Sequence, residues 1–278
     1  MTVIGDCSML SSGRWRPIAP LSGGPRIGAC SAVMENEDGQ PEMWVIGGNA
    51  AYGCPLATVE AYNPRTNTWR SCLPLSQPRY GAVAGVVGGR LVVAGGYDNG
   101  GGGRLTSVEA YSPSGWTPLP PMPHAVYLAT ACVMNGRLHV MGGLTAGNKL
   151  QVLEMSEENE FSWNVKAELP FHCYLAASGI VRGKLWLMGG AAYHAEDDDA
   201  EATASVLVFD TASDTWAAET PLSCPMMNCC AAVCDGELYL KHGLETHVHR
   251  NGAWVRIDDA IIDGPDVEQS TCQPVLLG

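Results

Sequence analysis

Residues 79–116 read RYGAVAGVVGGRLVVAGGYDNGGGGRLTSVEAYSPSGW, and they contain one complete unit of a repeated pattern. Two apolar runs, residues 81–87 and 91–94, are separated by one Gly-Gly pair and followed by another. After a Gly-rich loop, residues 107–111 alternate polar and apolar side chains, as a strand with one solvated face does. A last run opens at Trp116. The stretch therefore predicts four short strands, which we call a, b, c and d.

Two features of this unit recur along the chain. A glycine-containing doublet follows strand b, with steps of 48, 47, 47 and 53 residues, at Gly47-Gly48, Gly95-Gly96, Gly142-Gly143, Gly189-Gly190 and His242-Gly243. A tryptophan opens strand d at Trp15, Trp69, Trp116, Trp163, Trp216 and Trp254. A period near ~50 residues made of short strands is typical of a β-propeller, in which each repeat forms one blade.

The turns between strands a and b support the same assignment. Asn-Gly, Asp-Gly and Gly-Gly pairs between apolar runs indicate tight hairpins, because a type I′ turn needs positive φ at both central residues. The four turns are Gly88-Gly89, Asn135-Gly136, Arg182-Gly183 and Asp235-Gly236. Strands a and b are almost continuously apolar, which suits strands buried on both faces. We therefore predict an all-β fold.

The repeat resembles the kelch repeat. The matching features are the Gly-Gly doublet after strand b, the stretch Tyr62-Asn-Pro-Arg-Thr-Asn-Thr-Trp69, and Pro78-Arg79-Tyr80-Gly81 before strand a. The resemblance extends over essentially the whole chain and is more specific for fold than for function. It is strongest to the kelch domain of BTB–kelch proteins, which are substrate adaptors of cullin-based ubiquitin ligases.

We predict a single six-bladed kelch propeller domain spanning residues 1–278. Blades one to four are complete, and blade five is shortened. The sixth blade is expected to combine both ends of the chain: residues 270–278 align with a strand a, and residues 2–6 align with a strand b. Met9-Leu10 and Trp15 then supply strands c and d. Such a closure would remove the exposed sheet edges of an open arc.

Composition excludes several classes of partner. The formal net charge of −13 argues against nucleic acid or an anionic membrane as a partner. No apolar run approaches the ~20 residues of a membrane span, and no signal peptide is visible, since Met1 leads directly into a predicted strand. The eleven cysteines are interpreted as reduced, mostly buried thiols of a cytoplasmic or nuclear protein.

The face formed by the b–c and d–a loops is irregular, and a specific site is expected there. Arg26 and Arg79 precede strand a at equivalent positions that the repeat does not require. Either they capture a carboxylate of a partner peptide or they are solvated loop residues. In kelch ligase adaptors this position commonly binds acidic motifs, so the resemblance implies an acidic peptide ligand. The acidic loop at 191–203 is interpreted as a solvated segment rather than a cation site.

Aromatic and amide side chains complete the candidate partner-binding set on this face. Asn49 and Tyr97 follow the doublets, a habitual ligand-contact position in the family, although each could be a simple turn residue. Tyr80, Tyr127 and Tyr174 recur at 47-residue steps and either form an aromatic collar or pack blade against blade. The full set is Arg26, Asn49, Arg79, Tyr80, Tyr97, Tyr127, Tyr174 and His194.

Some kelch propellers are enzymes that hold a metal at the channel mouth. Here the residues on the corresponding face lack a tight ligand spacing, and no nucleophile motif or phosphate-binding loop is present. These residues are His124, His172, Cys173, Tyr174 and His194. The sequence therefore predicts no enzyme activity, no metal and no cofactor.

Three hypotheses for function remain at this point. The first is a protein-interaction module, in the manner of a cullin-ligase substrate-recognition domain. The second is a structural scaffold, as in actin-associated kelch proteins. The third, which the missing ligand spacing and nucleophile motif disfavour, is a small-molecule enzyme.

Overall fold

The computed structural model describes the backbone of residues 3–4, 8–11, 14–50, 53–101, 103–144, 150–156, 160–194, 199–243 and 245–257. Side chains are described within these ranges from residue 17 to 192 and from 201 onward. All the regular structure in these ranges is β-strand, as the sequence predicted. No helix that could cross a membrane occurs in them.

Five four-stranded antiparallel sheets follow one another along the chain, and in each the strands lie side by side in the order a, b, c, d. Blade 1 consists of Cys30–Glu35, Pro41–Ile46, Val59–Asn63 and Thr68–Cys72. Blade 2 consists of Val83–Val87, Arg90–Ala94, Val108–Ser112 and Gly115–Leu119. Blade 3 consists of Thr130–Met134, Arg137–Met141, Leu150–Met155 and Phe161–Lys166. Blade 4 consists of Ala177–Val181, Lys184–Met188, Val206–Asp210 and Thr215–Ala218, and blade 5 of Cys230–Cys234, Glu237–His242, Glu245–Arg250 and Ala253–Ile257.

Shorter strands add small sheets at one end of the blades. One sheet contains Val3–Ile4, Arg26–Ile27, Asn49–Ala50 and Cys54–Pro55. A hairpin joins Tyr97–Asp98 to Gly103–Arg104, and a three-stranded sheet contains Cys173–Tyr174, Ala191–His194 and Asp199–Ala202. The segments predicted as Gly-rich and acidic loops thus contain paired strands.

The predicted sixth blade is described only in part. The hairpin of Ser8–Ser11 with Arg14–Pro17 coincides with its predicted strands c and d. Val3–Ile4 is a strand, but its described partner is Arg26–Ile27 rather than a strand a. The strand predicted over residues 270–278 lies outside the described residues, so the closure and the count of six blades stay predictions.

The tight turns between strands a and b confirm the sequence prediction. Asn135, Arg182 and Asp235 have φ values of 52°, 51° and 51°, and each is followed by a glycine that also has positive φ. In the shortened blade 5, strand b ends at His242 and strand c begins at Glu245, so the b–c connection is only two residues long.

The core lies between successive sheets. One apolar cluster joins blades 1 and 2, a second joins blades 2 and 3, a third joins 3 and 4, and a fourth joins 4 and 5. The a strands of all five blades line a common channel of about 560 Å³. Small residues such as Ala84, Gly85 and Ser178 line this channel, and a Cβ at Gly85 would lie 2.5 Å from Val133 of the next blade. This arrangement is a β-propeller.

The repeated tryptophan links each blade to the segment that precedes it. The indole Nε1–H of Trp69 donates to the carbonyl of Ala19 at 2.7 Å, and Trp116 donates to Leu73 at 2.8 Å. The same bond recurs from Trp163 to Pro120, from Trp216 to Ala167 and from Trp254 to Thr220. A tryptophan buries a large apolar area but needs a partner for its N–H, so one residue type both packs the blade and joins it to its neighbour.

A second set of bonds joins the blades around the channel mouth. In blades 1 to 4, the residue two positions before strand a accepts a backbone hydrogen bond from its counterpart in the next blade. The donors and acceptors are Gly81 to Gly28, Leu128 to Gly81, Leu175 to Leu128 and Asn228 to Leu175. The N···O distances are 2.7 to 3.0 Å. All five residues have φ between 55° and 63°. A leucine in this left-handed region is strained, so the backbone belt holds Leu128 and Leu175 in place.

The first residue of each Gly-Gly doublet must be glycine, because the backbone of the next blade approaches it too closely for a side chain. A Cβ at Gly142 would lie 2.1 Å from the carbonyl oxygen of Cys173, and a Cβ at Gly47 would lie 2.4 Å from that of Arg79. The second glycine of the doublet then donates its N–H to the same carbonyl oxygen. Each of the four Gly-Gly doublets is therefore a point where one blade attaches to the next.

The cysteines correct one prediction. Eight of those described are free thiols, and burial raises the pKa of Cys132 and Cys173 to about 12. Cys234 is disulfide-bonded, so the interpretation of the whole set as reduced is wrong. The count and placement of cysteines in strands did not distinguish this residue from the free thiols.

Candidate functional site

The b–c loops and the segments before strand a meet on one face, around the mouth of the channel. Their short strands pair with each other: Tyr80 bridges Tyr97, and Cys173–Tyr174 pairs with Ala191–His194. The side chain of Asn99 also donates to the carbonyl of Gly53, so the loops of blades 1 and 2 are in contact. The face predicted to carry the site is therefore a connected rim.

The prediction that Arg26 and Arg79 lie in exposed loops is wrong. Each side chain is only 1% exposed. Arg26 pairs with Glu60, and Arg79 Nη2 lies 2.6 Å from Glu109 Oε1. The physical reason is that each arginine reaches under its own blade to a buried glutamate of strand c, where a carboxylate must be paired.

Further hydrogen bonds hold the buried guanidinium of Arg79. Its Nη1 donates to the carbonyls of Gly95, at 2.8 Å, and Ser107, at 3.0 Å. Its partner Glu109 also accepts the backbone N–H of Ser76 at 2.8 Å. Such an arginine supports the glycine doublet and the start of strand c, and its charge is already matched by a carboxylate of this chain.

The sequence contained a signal for this pairing. Glu60 and Glu109 occupy the same position of strand c, and they occur in the two blades that have the arginine. In blade 3 the corresponding residues are Val126 and Gln151. Gln151 instead hydrogen-bonds the backbone N–H and carbonyl of His124. Loss of the arginine thus coincides with replacement of the buried carboxylate by a neutral amide.

Three of the predicted tyrosines come together at the channel mouth. The ring centroids of Tyr80 and Tyr127 are 5.1 Å apart, those of Tyr97 and Tyr127 are 5.4 Å apart, and those of Tyr80 and Tyr97 are 5.7 Å apart. All three residues are half-buried. Burial and the neighbouring Tyr80 hydroxyl raise the pKa of Tyr127 above the ordinary tyrosine range. We call Tyr80, Tyr97 and Tyr127 the tyrosine cluster. Its side chains lie at the channel mouth, as a collar would, and they also pack blade 2 against blade 3.

The other predicted residues are placed differently. Asn49 is buried, at 7% exposure, and its Oδ1 has no hydrogen-bond partner among the described residues; its role as a ligand contact stays a prediction. Tyr174 occupies the collar position of blade 4 and is half-buried, but it makes no ring contact with the described tyrosines. His194 ends a rim strand, and its side chain is outside the described part.

The tyrosine cluster offers aromatic faces and hydroxyl groups without a net charge. Within the described part of the chain, no three histidine, cysteine, aspartate or glutamate side chains are grouped as metal ligands. Tyrosine is enriched in protein interfaces because one side chain supplies both apolar area and a hydrogen-bonding group. The rim therefore presents aromatic faces and neutral hydrogen-bonding groups.

Comparisons with known proteins agree with this architecture. The Kelch motif matches residues 40–75 and 78–123. The F-box protein AFR of Arabidopsis thaliana is 30% identical over 116 residues, which are 39% of this chain and 29% of that protein. Kelch-like protein 21 of Danio rerio is 43% identical over 65 residues, 22% of this chain and 10% of that protein. The matches thus span less than a third of the length of these curated relatives.

Among solved structures, that of YjhT superposes with a TM-score of 0.71 at 18% identity, covering 94% of this chain and 87% of that one. The Kelch motifs lie in blades 1 and 2, where the repeat is most regular. The motif matches, the similar proteins and the arrangement of the sheets agree with one another: the chain contains two Kelch motifs, in blades 1 and 2, within a β-propeller fold.

Proposed function

We propose that this propeller is a protein-interaction module that docks a partner protein on the rim around the tyrosine cluster. The observation that carries the proposal is the convergence of Tyr80, Tyr97 and Tyr127 at the channel mouth, within 5.7 Å of one another and half-buried. Preformed aromatic clusters of this kind act as binding hot spots because their rings lose little conformational freedom on binding.

The partner is proposed to be recognised by aromatic packing and neutral hydrogen bonds. The expectation of an acidic peptide depended on two exposed arginines, and both arginines are buried against glutamates of this chain. A chain with a net charge of −13 also repels acidic partners at long range. An acidic preference is therefore not part of the proposal.

The wider role is proposed to be substrate recognition for a cullin-based ubiquitin ligase. Supporting this role, the similar proteins include an F-box protein and a Kelch-like protein, and this chain itself contains Kelch motifs. Because the matches cover only part of those relatives, attachment to ligase machinery is the finer part of the proposal.

A pulldown from cell lysate tests the docking site. Replacing Tyr97 by alanine is expected to weaken partner binding at least about thirtyfold, since a central aromatic hot spot contributes about 2 kcal/mol or more. The matched control is Leu73→Ala, which removes a side chain that is 45% exposed and directly follows strand d of blade 1, the strand of that blade farthest from the channel. Circular dichroism should show that both variants are folded. Retention of the same proteins by wild type, Leu73→Ala and Tyr97→Ala alike would contradict the proposed site.

A further inference from the structure

A cavity on the opposite face of the propeller has no role in the proposed docking site. It lies between blades 4 and 5, beside the a–b turns and the c–d turn of blade 5, and has a volume of about 620 Å³. Its lining includes Arg182, Lys184, Trp186, Glu237, His249 and Arg250. A volume of this size is in the range of sites for small organic molecules.

Two lining side chains have unsatisfied nitrogen atoms. Trp186 Nε1 and His249 Nε2 are buried and have no hydrogen-bond partner among the described residues. Their rings are in contact, with centroids 5.0 Å apart, and His249 also packs on Trp254. By contrast, Trp254 donates its own Nε1–H to a backbone carbonyl. An indole nitrogen is a donor only, so Trp186 requires an acceptor.

The equivalent tryptophan of blade 1 has a different environment. There Trp44 occupies the same position of strand b and packs on Tyr111 of the next blade. Trp44 Nε1 is also unpaired, but the guanidinium of Arg70 lies over the ring, 5.3 Å from its centroid. The residue at the place of Arg70 in blade 4 is Ala217. No cation of the described chain therefore covers Trp186, which is 9% exposed against 2% for Trp44.

The charges around the cavity favour an anion. Arg250 is neutralised by Glu237, with two N···O distances of 2.6 Å, and Glu237 also accepts the hydroxyl of Tyr239. Lys184 lies 3.5 Å from Asp210. Arg182, which is exposed in the tight a–b turn of blade 4, forms no salt bridge with any residue that the structure describes. One unpaired guanidinium thus remains beside the two unsatisfied ring nitrogens.

We propose that this cavity binds a small carboxylate that has an aromatic or aliphatic body. The carboxylate oxygens would accept charge-assisted hydrogen bonds, which are the strong ones, from the exposed guanidinium of Arg182. The indole N–H of Trp186, which is buried without an acceptor, would donate to the carboxylate after a small rotation of its ring. The apolar body would pack on the rings of Trp186 and His249 and on Val181 and Leu238. This site is independent of the tyrosine cluster and of the partner proposed for it.

The test uses benzoate as the probe, with benzamide as its neutral isostere. In ¹⁵N-labelled full-length protein, the indole N–H signal of Trp186 is identified by its absence from a Trp186→Phe variant. Benzoate is expected to shift that signal saturably, and benzamide is expected to bind about tenfold more weakly because it lacks the charge. Inorganic phosphate, which has no apolar body, should also bind more weakly than benzoate.

Variants locate the charge that holds the probe. Arg182→Gln is expected to weaken benzoate binding about tenfold. Arg65→Gln removes the same charge from an exposed turn of blade 1 and should leave binding unchanged. The proposal is overturned if benzoate produces no saturable shift of the Trp186 indole, if benzamide or phosphate binds as tightly, or if Arg182→Gln binds benzoate like wild type.

Discussion

Replacing Arg79 by alanine is expected to lower the free energy of unfolding by about 3–5 kcal/mol. The substitution leaves the carboxylate of Glu109 buried without its cation, and it removes donors from the carbonyls of Gly95 and Ser107. Breaking one half of a buried ion pair is much more destabilising than the pair is stabilising, because the remaining charge stays desolvated. Urea denaturation followed by circular dichroism measures the change.

Two comparisons isolate the cause. Arg137→Ala removes an arginine that pairs with Glu154 at the surface, where the arginine is 56% exposed, and it should change stability by no more than about 1 kcal/mol. The double variant Arg79→Leu with Glu109→Leu should be more stable than Arg79→Ala, since no buried charge remains. Equal stability of Arg79→Ala and wild type would mean that the guanidinium is solvated, as the sequence alone suggested.

Replacing Gly142 by alanine is expected to destabilise the propeller by about 3 kcal/mol or more. Two effects add: the φ of 63° is strained for any residue with a Cβ, and that Cβ would lie 2.1 Å from the carbonyl oxygen of Cys173. The neighbouring blade would have to move, and the hydrogen bond from Gly143 to the same carbonyl would weaken. Thermal denaturation reports the loss.

Gly183→Ala is the matched control. Gly183 also has positive φ, at 71°, but a Cβ there would meet no atom within 4 Å. Its substitution should cost only the backbone strain of about 1–2 kcal/mol. If the two variants were equally destabilised, the close approach between blades 3 and 4 would not be the reason for the glycine doublet.

The strands and tight turns could be predicted because their signals are local. A run such as residues 91–94 between two glycine pairs has few alternatives to a buried strand, and Asn135-Gly136 encodes its own turn geometry. The tryptophan period was equally visible. The structural role of these tryptophans could not be predicted. Trp69 donates a hydrogen bond to a carbonyl 50 residues away, and that contact depends on how the blades pack rather than on the neighbouring residues.

The burial of the candidate arginines could not be inferred from their own neighbourhood. Arg26 and Arg79 stand in segments of loop composition, and only their association with Glu60 and Glu109 identifies them as paired core residues. The association becomes visible only when the residue before strand a and the glutamate position of strand c are compared together across the blades. The sequence predicted only part of the tyrosine cluster. A 47-residue spacing indicates that Tyr80 and Tyr127 occupy equivalent positions in successive blades, but it does not indicate which aromatic side chains are in contact.

Hydrogen exchange with the partner recovered in the pulldown tests the central claim, that this propeller docks a protein at the tyrosine cluster. We expect slower amide exchange on binding in the rim segments 97–101 and 126–128, because the partner would cover them. The a–b turns at 88–89 and 135–136, on the opposite face, should exchange at unchanged rates. Protection of those turns with no change at the rim would contradict the account.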